Sequence, residues 1–142
     1  MSTMSSNTVF LLVTMLLAMA AQCNANFFPY YFGDFKVSIR NGFSGNVKLE
    51  VNCTSFDDDL GRHWLRKGET YSFSFHTDIL GTTTWDCRLA TQDAPLGTSQ
   101  LFKCDYDFLK KCDFRECKWD VRDDTEYLLD IPQNKYVRWA HT

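Results

Sequence analysis

Six cysteines, three histidines and one dense run of carboxylates are the residues of this 142-residue chain whose types and spacing bear on chemistry. The carboxylates fall in Asp57-Asp58-Asp59-Leu60-Gly61. Calcium takes six or more oxygen ligands, and the run lacks the further acidic positions that a complete site needs. It reads instead as a strand-exit turn, in which aspartates bond nearby backbone N–H groups and Gly61 supplies a permissive backbone. Zinc would require Cys or His at knuckle spacing. Cys112 and Cys117 form no Cys-x-x-Cys motif, and His63, His76 and His141 show no ligand spacing, so neither a metal nor a cofactor is expected. The same histidines lack a companion motif for nuclease chemistry, and His76 falls in the polar phase of its segment. There is no Gly-rich phosphate loop, Gly-x-Ser-x-Gly elbow or His-Glu-x-x-His motif. No catalytic residue is assigned, and the expectation is a protein that is not an enzyme.

The cysteines acquire meaning from where the chain goes. No charged residue precedes Asp34, and Val9 to Ala21 is apolar apart from Thr14. About 13 residues are too few to cross a bilayer as a helix, but they suit the apolar core of a secretory signal peptide. Cleavage is expected after Ala25, with Ala20 as the alternative, so residues 1–25 form the signal and residues 26–142 one secreted domain. No second apolar stretch approaches spanning length, and no membrane insertion is expected. A net charge of −3 offers no field for a phosphate backbone, which argues against nucleic acid as partner. Export makes disulfides the default fate of Cys53, Cys87, Cys104, Cys112 and Cys117. It also makes Asn52-Cys53-Thr54 a glycosylation sequon, with Asn52 in the outward phase.

These side chains must be positioned by strands. Period-two alternation runs through Phe35 to Arg40, Val47 to Cys53, Tyr71 to His76, Thr83 to Leu89 and Cys117 to Arg122, with a last apolar strand from Tyr127 to Ile131. A weaker strand is expected within Ser99 to Cys104, and a helical turn or two within Asp105 to Lys111. Asn41-Gly42 reads as a turn signal, and the segments on either side of it as a hairpin. The expected fold is all-β, a small antiparallel β-sandwich of seven or eight strands stapled by two disulfides. Spacing alone leaves about 15 pairings open for five cysteines. The inward phases of Cys53, Cys87 and Cys117 fit bridges that staple strands across the core. The expected connectivity is Cys53 with Cys117 and Cys87 with Cys112, leaving Cys104 unpaired.

In order along the chain stand Val37-x-Ile39-x-Asn41, Leu49-x-Val51-x-Cys53, Ser55-Phe56-Asp57-Asp58-Asp59-Leu60-Gly61, Gly68, Tyr71-Ser72-Phe73-Ser74-Phe75 and Thr83-Thr84-Trp85-Asp86-Cys87. Cys112 and Cys117-Lys118-Trp119-Asp120-Val121-Arg122-Asp123-Asp124 complete the set. This pattern resembles the plant self-incompatibility protein family, the S-protein homologues. The resemblance implies small secreted β-sandwich proteins with four characteristic cysteines, matched here by Cys53, Cys87, Cys112 and Cys117, and it makes Cys104 the extra one. The chain departs from the family pattern at Phe56, where a basic residue is usual, and at Asp123-Asp124-Thr125, where an Asp-Gly turn is usual.

The role implied is that of a secreted ligand, as in pollen–stigma recognition. The partner is expected to be a cell-surface receptor or another extracellular protein, and the protein a monomer. The loops expected to meet the partner are Phe56 to Arg62, with Phe56, Asp57, Asp58, Asp59 and Arg62, and Asp105 to Arg115, with Tyr106, Phe108, Lys110 and Lys111. The alternative class is a secreted defence or toxin-like protein acting on microbes or membranes. A small secreted hydrolase is the remaining class, and a deep polar pocket with converging histidine and carboxylate groups would revive it.

Overall fold

Alternating sequence after Asp34 becomes nine strands among the residues described by the computed structural model, 5–20 and 33–139. They are β1 (Asp34–Asn41), β2 (Leu49–Thr54), β3 (Asp59–Leu65), β4 (Thr70–His76), β5 (Trp85–Thr91), β6 (Pro95–Phe102), β7 (Glu116–Val121), β8 (Glu126–Asp130) and β9 (Lys135–Arg138). Two helices accompany them, α1 (Ser6–Ala20) and α2 (Tyr106–Lys111). α1 holds most of the apolar N-terminal run. Among the described residues no helix is long and apolar enough to cross a membrane. The two cleavage positions bracket residues outside those described. α2 is short, capped by the Asp105 carboxylate accepting from Phe108 N, with Lys110 and Lys111 in its last turn.

The strands form two sheets, β4-β1-β7-β8-β9 and β3-β2-β5-β6. Every pairing is antiparallel except β1 with β7, which run parallel from Lys36 opposite Glu116 to Asn41 opposite Val121. A parallel pair needs a long crossover, and here the whole of the second sheet plus α2 supplies it. Phe35, Val37, Ile39, Trp119 and Leu128 from one sheet and Val51, Leu89, Leu101 and Phe102 from the other are buried together between the layers. The Trp119 indole N–H donates to Leu101 O across that core at 2.9 Å, so its one polar atom is satisfied where water is excluded.

Three expectations are corrected. The segments around Asn41-Gly42 are not a hairpin: β1 and β2 lie in different sheets, and residues 42–48 carry the chain from one layer to the other. The physical reason is Asn41, fully buried, whose amide donates to Val47 O (2.7 Å) and Leu65 O (3.0 Å) and accepts from Phe43 N (3.1 Å). Gly42 then packs so closely on β7 that an added Cβ would stand 2.2 Å from Asp120 Oδ1.

The second correction concerns the disulfides, which are Cys53–Cys87 and Cys112–Cys117. Cys53 and Cys87 oppose each other in the β2–β5 register with Cα atoms 4.0 Å apart. A Cys53–Cys117 bridge would have to span facing sheets, which pack about 10 Å apart, beyond the ~7 Å reach of a disulfide. Cys112 ends α2 and is brought to 4.5 Å from Cys117 by the tight turn that follows. Cys104 is disulfide-bonded too, and no cysteine among the described residues is free. The third correction is small. β3 and β9 add to the seven segments read from the sequence, as edge strands whose burial is partial.

Substituting Asn41 by Ala strips three buried backbone groups of their partner, and about 3–4 kcal/mol of stability is expected to be lost. Urea unfolding of the oxidised variant against the parent measures it; a change under 1 kcal/mol would contradict the role given to this amide. Peptide mapping without reduction is expected to recover Cys53 with Cys87 and Cys112 with Cys117.

Candidate functional site

Strand directions gather four loops at one end of the sandwich: residues 55–58, 77–84, 103–115 and 131–134. Between the first two opens a cleft of about 700 Å³, with Phe75 and Trp85 in its walls. The Cys53–Cys87 bridge ties together the strands from which both walls rise.

The wall made by residues 55–58 is acidic and carries one large apolar group. Ser55 N donates to Asp58 O, closing the turn at 2.8 Å, and Ser55 Oγ donates to Asp57 at 3.2 Å. Gly61 N donates to Asp59 Oδ1 at 2.9 Å, and Gly61 adopts φ 76°, a left-handed conformation that costs a glycine little. Of the turn expected for the Asp run, the Asp59 bond to Gly61 N and the left-handed Gly61 are present, while Asp59 and Gly61 themselves lie in β3. The Asp58 carboxylate has no hydrogen-bond or ion-pair partner among the described residues. Burial first, and then the charge of Asp58, raise the pKa of Tyr71 on β4. Phe56 projects fully into solvent at 105% relative exposure.

The opposite wall is organised by Asp78. Its carboxylate accepts from the backbone N–H and the hydroxyl of both Thr82 and Thr83, while Asp78 N donates to Thr83 Oγ1. Burial opposes ionisation of Asp78, but these four donors win and lower its pKa. The tip of this loop exposes Ile79 (68%) and Leu80 (57%). Neither lysine nor arginine lines the cleft, whereas Asp57, Asp58 and Asp78 do. At its base Trp85 packs on Phe73 and Phe75, ring centroids 4.8 and 5.5 Å away, and the buried Trp85 indole N–H has no hydrogen-bond partner among the described residues.

Residues 36–140 match the family described as plant self-incompatibility protein S1. The chain belongs to that family. S-protein homolog 27 of Arabidopsis thaliana is 29% identical over 105 residues, which cover 73% of this chain and 65% of that protein. S-protein homolog 11 of the same plant is 31% identical over 113 residues, covering 73% of this chain and 76% of its own. The chain thus spans slightly under two thirds of the length of the first of these relatives. A solved structure of a self-incompatibility protein homologue, from a family described as widespread, small, highly stable and secreted from plants, superposes with a TM-score of 0.54. It is 16% identical, and the match covers 78% of this chain and 91% of that one. The fold is shared.

Within this S1-family fold the residues singled out from the sequence part company. Phe56, Asp57 and Asp58 meet at the cleft, while Asp59 begins β3 beside it. Arg62 lies on β3 and pairs with Glu50 at 3.4 Å, away from the loop. Phe108 is corrected: it is 2% exposed and packs edge-on against Phe102 and Trp139, so it serves the core. Tyr106 is half-buried against Phe114, Lys110 is exposed, and Lys111 Nζ donates to Asp107 O at 3.4 Å. Asn52 lies on the outer side of β2, opposite Arg62 and Arg88, with its side-chain oxygen buried and unpartnered.

His63 is bonded to Leu60 O and stacked on Tyr71 (4.0 Å), and His76 contacts Asp34 at 3.2 Å. His141 is outside the described residues. Among those residues no group of three or more Cys, His, Asp or Glu converges on a metal position. Asp78 was missed in the sequence, although the spacing Asp78, Thr82, Thr83 is the signal that would have found it, since short hydroxyl and carboxylate side chains cap turns this way.

Because the folded-state pKa of Asp78 is depressed, its contribution is complete above the ordinary aspartate pKa and is lost as pH falls through the lower folded value. Replacing Asp78 by Ala is expected to destabilise the protein at neutral pH, and the difference from the parent should shrink in acid. Urea unfolding at neutral and strongly acidic pH checks this; a pH-independent difference would contradict it.

Proposed function

We propose that this member of the family is a non-enzymatic extracellular recognition protein that binds a cell-surface receptor or another extracellular protein through the acidic cleft. The observation that carries the reading is Phe56. An aromatic side chain held wholly in water gains roughly 2–3 kcal/mol when a partner covers it, and aromatic anchors of this kind dominate protein interfaces. The uncompensated charge of Asp58 beside it selects partners that bring a cation, and long-range attraction of that kind speeds encounter. Family membership supports a ligand-like role; a part in pollen–stigma recognition would be one instance of it. A rigid platform suits the task, because the disulfide below the cleft and the hydroxyl cage around Asp78 limit the ordering that binding would otherwise require.

The test is saturation binding of labelled secreted protein to plant cell surfaces, followed by crosslinking and identification of the captured protein. Phe56→Ala is expected to weaken saturable binding by about ten- to a hundredfold, and Asp58→Asn by less, with neither changing the melting transition. Equal binding by the parent and both variants would exclude the cleft. Growth inhibition of microbes by the purified protein alone would favour the defence reading instead.

A further inference from the structure

The outward face of the five-stranded sheet carries a second constellation, separate from the cleft. β1 and β7 lie side by side in parallel register, which sets Lys36, Ser38 and Arg40 beside Glu116, Lys118 and Asp120. The result is the same arrangement twice. Lys36 and Lys118 both approach Glu116, at 3.6 and 3.9 Å, while Arg40 and Arg122 both hold Asp120, at 3.0 and 2.8 Å. The two triads are about 13 Å apart along the strands, the rise of four residues.

Height matters as much as sign. The two carboxylates are recessed, their side chains 27% and 7% exposed, whereas the four cations stand at 38–49%. Within the two triads four cations face two carboxylates, a local surplus of positive charge in a chain that is acidic as a whole, with the exposed Asp34 at the near end of the same face of β1. Glu116 remains an anion: burial opposes its ionisation, but the Ser38 hydroxyl, Lys118 and Lys36 lower its pKa. The Asp120 carboxylate occupies the space that a side chain at Gly42 would need. Arg122 is fixed from the side by the rings of Tyr127 and Tyr136, 4.3 and 4.9 Å from its guanidinium carbon.

A groove of about 310 Å³ runs over this face, lined by Lys36, Arg40 and Lys118 with Glu116 among them, by Thr70 and Ser72, and by Tyr136; the Ser38 hydroxyl beneath is buried and already bonded to Glu116 and Ser72. We propose that this face binds an anionic polysaccharide of the uronate type, its carboxylates meeting Lys36, Lys118 and Arg40 and its hydroxyls meeting Thr70 and Ser72. Charge complementarity decides that the occupant is anionic, since Lys and Arg are the side chains that hold carboxylates by charge-assisted hydrogen bonds. The hydroxyls of Thr70 and Ser72 beside the cations, in a groove spanning Lys36 to Arg40 along β1, decide for a linear sugar polymer. No aliphatic side chain lines the groove to enter a bilayer, and the protein works outside the cell. The proposal does not depend on the acidic cleft having a receptor.

Electrophoresis of the secreted, oxidised protein through gels containing polygalacturonate tests it. The parent is expected to be retarded by polygalacturonate, less so as salt is raised, and not by the fully methyl-esterified polymer, which has the same sugar backbone without the charge. Lys36→Gln and Lys118→Gln remove the charge while leaving a polar side chain, and are each expected to weaken binding by about tenfold. Arg88→Gln, which removes an equally exposed cation from the opposite sheet, should leave it unchanged. Three results would overturn the proposal: equal migration in both polymers, equal weakening by Arg88→Gln, or retention by dextran sulfate or anionic phospholipid vesicles with none by polygalacturonate.

Discussion

One buried amide settles what kind of molecule this chain becomes. At the end of β1 the backbone must leave the first sheet, and a segment that leaves a sheet gives up ladder partners. Asn41 replaces three of them, binding Val47 O, Leu65 O and Phe43 N from a fully buried position. Its own backbone is paired as well, to Glu69 O and from Gly68 N. The crossover is therefore cheaper than a return along β1 would be. With β1 turned out of its own layer, β2 starts the second sheet, β4 and β7 flank β1, and strand direction then dictates which loops share an end. The cleft lies at the far end of β1 from Asn41, so the loops that meet there are free of the packing that this junction demands.

The disulfides act on a different problem. A bridge stabilises chiefly by restricting the unfolded chain, and the effect grows slowly with the loop it closes. Cys53–Cys87 spans 34 residues and contributes on the order of 3–4 kcal/mol on that account, against roughly 2 kcal/mol for Cys112–Cys117 with its span of 5. The larger bridge is also the one under the cleft. It joins the last turn of β2 to the first turn of β5, so the acidic loop and the Asp78 loop inherit a fixed separation. Stability and the spacing of the cleft walls are served here by the same covalent bond.

Much of this was legible in the residues, and the failures have definite causes. Tyr71 to His76 alternates because one side of β4 packs its aromatics on Trp85 and Phe102 while the other meets water. Period two reports which face a residue takes, however, and not which sheet it belongs to. Cys53, Cys87 and Cys117 were rightly read as inward, yet an inward residue can bridge within a layer as well as across the core, and distance chose the former. Asn41-Gly42 announces a change of direction without saying whether it lies in the plane of the sheet. β3 was hidden because Gly61 and an exposed Trp64 break the alternation expected of a half-buried strand. Phe108 deceived because a charged neighbourhood in sequence, Asp107 and Lys110, says nothing of the one helical face that turns inward.

Net charge concealed more than it revealed. A value of −3 predicts indifference to polyanions only if charge is spread evenly, and it is not. The cleft gathers aspartates without a lysine or arginine among them, while the sheet face raises its cations above carboxylates that are sunk between the strands. Fields from surface charges fade within about 8 Å at physiological ionic strength, so a partner approaching either surface senses that surface and not the sum. Opposite charges held apart on one sandwich present two chemically different surfaces that act independently of each other. The same separation explains why neither cation triad closes on the cleft: each is already anchored to its own carboxylate through the parallel register of β1 and β7.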